Sequence, residues 1–109
     1  MYISITGLRL TSALHAPSFW WHATRAMKQA QGADGNIHTS ARTIDGVHHT
    51  LSAWQDAQAM AAFVASGAHG RAMTVFPKIA SGGTVGYLSE RIPDWDEARL
   101  IWQQRGQPA

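Results

Sequence analysis

Asp45-Gly46 is the feature that most limits what this chain can fold into. An Asp-Gly pair between two alternating, β-branched runs is the two-residue turn of a type I′ hairpin, because both central residues need positive φ. A turn that short leaves no freedom of register. Ile44 then faces Val47, Arg42 faces His49, Ser40 faces Leu51 and His38 faces Ala53. On the other face Thr43 meets His48, Ala41 meets Thr50, Thr39 meets Ser52 and Ile37 meets Trp54. Neither face is uniformly polar or apolar. A hairpin of that kind, from Asn36 to Trp54, belongs in a sheet covered on both sides.

The flanking segments supply the rest of such a sheet. Tyr2 to Leu10 alternates Ile3 and Ile5 with Ser4 and Thr6, which predicts a first strand. Gly7 breaks the alternation and is expected to mark a bulge, after which Leu8 and Leu10 take over the buried phase. Pro17 suits the first turn of a helix running to Gln31, with Phe19, Ala23, Ala26, Met27 and Ala30 at helical spacing. Asp56 is the expected N-cap of a second helix carrying Met60, Phe63 and Val64. Ser66-Gly67 interrupts it, and a further helical segment with His69, Met73 and Phe76 is expected to close at Pro77. Ser81-Gly82-Gly83 reads as a turn and Thr84 to Arg91 as a fourth strand. Asp94 and Glu97 form a capping-box pattern at the start of a last helix with Leu100, Ile101 and Trp102 on its apolar side. The order is β-α-β-β-α-β with a C-terminal helix: an α+β, ferredoxin-like unit occupying residues 1–109 as one domain.

The chain has 109 residues, 45% of them hydrophobic and only 15% charged. A domain this small has a high ratio of surface to volume, and so little charge points to a subunit interface and a homodimer. It contains 0 cysteines, which excludes disulfides, iron–sulfur clusters and thiolate zinc sites. The basic residues are spread along the chain rather than clustered, so no nucleic-acid partner is expected. Ser4, Thr6 and Arg9 interrupt the first apolar run. Neither a signal peptide nor a membrane span is therefore expected, and a cytoplasmic location follows as the default. There is no Gly-x-Ser-x-Gly elbow, phosphate-cradling loop or dinucleotide fingerprint, which argues against hydrolases, kinases and nicotinamide-dependent enzymes.

Candidate functional residues are histidines and aromatics. His48 and His49 are adjacent, so on a strand they face opposite sides and cannot share one metal ion. Each either satisfies a polar position in a two-sided sheet or lines a pocket as a general base. No His-x-His, helical His-x-x-x-His or His-plus-carboxylate cluster occurs, so no dedicated zinc or non-haem iron site is expected. Trp20 on the first helix and Trp54 at the end of the third strand are candidates to wall a pocket for a flat ligand. Trp95 and Trp102, two helical turns apart, are expected to pack the last helix onto the body or onto a partner subunit.

The run from His48 to His69, HHTLSAWQDAQAMAAFVASGAH, resembles the central segment of the antibiotic-biosynthesis-monooxygenase superfamily. In that superfamily a strand ends in Trp, a helix carries an apolar pair, and a His follows a small-residue break. The closing RIPDWDEARLIWQQRG, from Arg91 to Gly106, resembles an uncharacterised bacterial subset related to spheroidene monooxygenase. The resemblance implies a dimeric α+β barrel, in which the sheets of two subunits pair and a pocket lies between each sheet and its helices. It does not imply one activity.

On that footing the expected function is a homodimeric pocket protein for a small hydrophobic or aromatic compound, acting as a cofactor-independent monooxygenase. His49 and His69 would be its catalytic residues, and Trp20, Trp54, Arg42 and His48 its binding residues. No cofactor is expected on this reading. One alternative is a haem-binding protein or oxygenase, because a His at the position of His69 ligates iron in the haem-binding branches of the superfamily. Another is a non-catalytic binding or dimerisation module.

Overall fold

A computed structural model describes residues 1–108, with side chains for residues 1–106. Its strands are β1 (Tyr2–Leu10), β2 (Asn36–Ile44), β3 (Val47–Trp54), β4 (Ala80–Leu88) and the short β5 (Gln107–Pro108). The helices are α1 (Ala16–Gln31), α2 (Ala57–Val64), α3 (Gly67–Ile79) and α4 (Trp95–Arg105). All strand pairs are antiparallel, in the order β2-β3-β1-β4-β5, and the first four give the ferredoxin-like arrangement.

The hairpin turn has the expected backbone, with φ of 50° at Asp45 and 77° at Gly46. Its register runs as expected from Ile44–Val47 to His38–Ala53. Beyond that it shifts: Asn36, not Ile37, opposes Trp54, and Ile37 bulges outward with 49% of its surface exposed. Asn36 is the local cause. Its amide donates to Thr39 Oγ1 at 2.7 Å and to the His38 carbonyl at 3.4 Å, drawing in the start of the strand.

The sheet is covered on both sides. Leu8 packs with Phe19 of α1 and Ile79 of α3 on one face, and Trp54 packs there with Ala30 and Phe63. On the other face Ile3, Ile5, Leu51, Ala53 and Val85 pack against Ala98 of α4, flanked by Trp95, Ile101 and Trp102. The chain's own C-terminal helix lies over this face.

Two-sided burial also removes the expected bulge at Gly7. β1 pairs without a break from Tyr2 to Leu10, so Ile3, Ile5 and Gly7 share the α4 face while Ser4, Thr6 and Leu8 share the other. Gly7 serves a different purpose: a Cβ there would lie 2.4 Å from the Trp102 indole. Gly83 is its cross-strand partner, and its carbonyl accepts the indole N–H at 2.9 Å. The two glycines are the floor on which Trp102 lies. Ser81-Gly82-Gly83 is accordingly strand, not turn. A Cβ on Gly82 would come within 1.9 Å of the Gly7 carbonyl, so this pair of strands can approach only without it. β4 begins at Ala80 and ends at Leu88, short of Arg91.

Pro77 does not close α3, which continues to Ile79, and burial of Ile79 against Leu8 and Phe19 holds the last turn in place. Asp94 caps α4 by accepting from the Glu97 N–H at 2.8 Å. The Glu97 carboxylate pairs with Arg91.

Candidate functional site

β3 places His49 beside Gly7 of β1 and Arg42 of β2, facing α4. Its side chain is almost enclosed, at 2% exposure. Trp102 stands edge-on to the ring, with centroids 4.8 Å apart, and Trp95 lies at 6.5 Å. His49 Nδ1 is 3.3 Å from the Thr6 carbonyl oxygen, which can only accept, so Nδ1 carries the proton and the lone pair sits on Nε2. Among the described residues no buried side-chain nitrogen or oxygen lacks a partner. Among the described residues Nε2 has no hydrogen-bond partner, so it is not one of those buried atoms and reaches open space.

That space is a cavity of about 320 Å³ between the sheet and α4, lined by Gly7, Arg9, Asp45, His49, Arg99 and Trp102 among others. It lies at the small end of the range for small-molecule sites, about 300–1,000 Å³. Burial pushes the His49 pKa below its ordinary value of 6.5. The Thr6 carbonyl opposes that shift, while the charges of Arg99 and His48 add to it. The imidazole is therefore neutral at pH 7, with a free lone pair beside a half-open cavity: the state a general base needs.

The hairpin turn organises the mouth of the cavity. Asp45, in its left-handed conformation, presents its carbonyl to Arg9 Nη2 at 3.0 Å and its carboxylate to Arg99. One turn residue thus ties β1, the β2–β3 hairpin and α4 together around the opening.

The other residues singled out from the sequence fall elsewhere. Arg42 shares the face of His49 but stacks over Trp95, 6.0 Å from the ring centroid, beside the cavity rather than in it. His48 faces the opposite way, as adjacency requires. Its Nδ1 meets Thr43 Oγ1 at 2.8 Å, and its ring packs on Phe19 at 4.8 Å and Trp20 at 5.0 Å. Trp54 is wholly buried on that same face, with its indole N–H on Ser52 Oγ at 2.9 Å and Phe63 stacked at 5.0 Å. His69 packs on Phe63 at 4.6 Å, with Nδ1 3.2 Å from the Val64 carbonyl and its backbone N–H on Gln29 Oε1. His48 and Trp54 are six strand residues apart, about 20 Å. The six candidates thus occupy three places: His49 near Arg42, His48 with Trp20, and Trp54 with His69.

Gly7, Arg9, Asp45, Arg99 and Trp102 are the lining residues not anticipated. Gly7 and Arg9 could have been found from their strand phase once β1 was known to pair with β3. Arg99 and Trp102 depend on where α4 docks, for which the sequence carries no local signal.

His69 is held by residues of α2. Its Nδ1 is held by Val64 and its ring by Phe63. The groove beside Phe63 is lined by Ala33, Ala59 and Ala62 as well as by Gln29, Asp34 and Asp56, and His69 is not among its lining residues.

Comparison with known structures places the fold. No family model and no curated protein matches this chain. Solved structures do. A Nitrosomonas europaea protein provisionally named an antibiotic biosynthesis monooxygenase superposes with a TM-score of 0.73 at 12% identity, covering 84% of this chain and 100% of that one. A similarly named protein from Deinococcus radiodurans gives 0.72 at 17%, covering 86% and 97%. SnoaB, a cofactor-independent oxygenase from Streptomyces nogalater, gives 0.67 at 11%, covering 85% and 96%. The chain therefore has the antibiotic-biosynthesis-monooxygenase-like fold. At these identities the likeness is one of fold, and it does not bear on the narrower resemblance to spheroidene monooxygenase relatives.

Proposed function

We propose that this chain is a monooxygenase-like enzyme that needs no cofactor and acts on a small aromatic enol or enolisable ketone bound between the sheet and α4. The observation that carries the reading is the neutral His49, its Nδ1 fixed by Thr6 and its Nε2 facing a half-open, Trp102-walled cavity. The fold shared with SnoaB, a cofactor-independent oxygenase, supports it.

In this reading His49 removes a proton from an acidic CH₂ of the substrate. The Arg99 guanidinium, whose charge reaches His49, stabilises the enolate that forms. The carbanion donates electrons to O₂ and forms a C–O bond, and the resulting peroxide anion takes back the proton from His49 to give a hydroperoxide. Loss of water then leaves a carbonyl: CH₂ plus O₂ becomes C=O plus H₂O. The protein's share is to orient, deprotonate and exclude bulk water.

2-Tetralone is a suitable probe, being bicyclic with a benzylic CH₂ next to a ketone. The expected result is oxygen uptake equal to ketone consumed, and a product with one oxygen in place of two hydrogens. Binding without oxygen uptake would identify a non-catalytic module instead. A homodimer belongs to the same proposal, supported by the low charge and by the exposure of Leu14, Trp21 and Leu88. Sedimentation velocity at micromolar concentration is expected to give a dimer, and a stable monomer would remove that part.

A further inference from the structure

We infer that the ligand of this cavity is a monoanion, a planar aromatic ring bearing one carboxylate, and that Arg9 is the residue that recognises it. The inference rests on the reading of the cavity as a substrate site and names what that substrate carries.

The charge at the opening is unbalanced. Arg9 and Arg99 both line the cavity, with Asp45 the one carboxylate among the lining residues. Asp45 spends its carboxylate on Arg99 and offers Arg9 only a backbone carbonyl. A guanidinium has five N–H donors in a planar fork, and a single carbonyl satisfies one of them. His49 is neutral and adds no charge. The opening therefore carries one net positive charge, which a monoanion balances and a phosphate dianion would exceed.

Arg9 is also placed rather than loose. Its guanidinium lies across the hairpin turn in space that exists because residue 46 is glycine: a Cβ there would come within 2.8 Å of Arg9 Nη1. Ser81, opposite Arg9 across β1 and β4, and Gln103 of α4 stand on the same rim and add neutral donors. The rest of the lining is aromatic and apolar, with the Trp102 indole, Ile44 and Val47 beside His49, and suits a ring. A ring inside and an acid at the rim is the arrangement these groups fit, with Arg9 reaching the carboxylate through its fork.

The test compares 2-naphthoate with neutral, near-isosteric 2-naphthamide by titration calorimetry, against the wild-type chain and Arg9→Gln and Arg9→Lys variants. Arg9 is exposed, so its replacement leaves the core untouched. Wild type is expected to bind naphthoate about tenfold more tightly than naphthamide, with the preference shrinking as salt is raised. Arg9→Gln is expected to erase the preference without weakening naphthamide, and Arg9→Lys to keep part of it. Equal binding of the two probes by wild type, or a preference that survives in Arg9→Gln, overturns the inference and leaves the cavity reading standing. Binding of neither probe overturns both.

Discussion

Replacing Trp54 by alanine is expected to lower the free energy of unfolding by about 3–5 kcal/mol, the range for a fully buried large aromatic. Trp54 has 0% exposure, is stacked on Phe63, and is packed with Ala30 between the sheet, α1 and α2. A cavity there cannot collapse without moving those elements. The indole N–H also satisfies Ser52 Oγ, and Ser52 is itself buried. Since a small domain has a total stability of about 5–15 kcal/mol, the variant should be marginal. Trp54→Phe keeps most of the packing and deprives only Ser52 of its donor, which should cost about 1–3 kcal/mol. Urea unfolding followed by circular dichroism measures both, with the slope m unchanged. A loss below about 1 kcal/mol in Trp54→Ala would show that the site relaxes and is not the rigid centre the packing indicates. Trp54→Phe is further expected to leave oxygen uptake unaltered, because Trp54 lies on the sheet face away from the cavity. The sequence-based expectation of Trp54 as a pocket wall requires the opposite.

His49→Gln is expected to reduce turnover of 2-tetralone by about 10²–10⁴-fold, the usual contribution of a positioned general base. Glutamine fills similar volume and can still donate to the Thr6 carbonyl, so binding of the neutral naphthamide probe should survive. The wild-type pH profile carries the same assignment. A base works when deprotonated, and burial holds His49 below its ordinary 6.5. Activity should therefore be flat through neutrality and fall on the acid side with a midpoint below 6.5. In kcat/KM that limb reports the free enzyme, and it should be absent from the residual rate of His49→Gln. An acid limb at or above the ordinary value, or one retained in the variant, would assign it to another group.

The hairpin was legible because its information is local. Asp45-Gly46 dictates a turn, the turn dictates a register, and the register puts His48 and His49 on opposite faces, as found. The bulge at Ile37 escaped because it depends on a side chain, Asn36, bonding back to its own strand. The glycines at 7, 82 and 83 were read as interruptions. Gly7 and Gly82 make room for close approach, under the Trp102 indole and between two strands, and a missing side chain looks the same in the sequence whether it marks a turn or makes room. The cavity was half visible for a similar reason. His49 drew attention as one of two adjacent histidines, placed opposite an arginine by the hairpin register. Its neighbours Arg9, Arg99 and Trp102 come from strand pairing across more than forty residues and from the docking of α4, which no short period encodes.

The ring tautomers and ligand responses of the six histidines test the central claim most directly, through long-range ¹H–¹⁵N spectra of ¹⁵N-histidine-labelled protein titrated with 2-naphthamide. His49 is expected to be neutral at pH 7, protonated on Nδ1, and to shift saturably as the probe binds, while His69 and His48 stay in place. Saturable shifts at His69 or His48 with His49 unmoved would put the ligand on the other face of the sheet and contradict the assignment of this cavity as the active site.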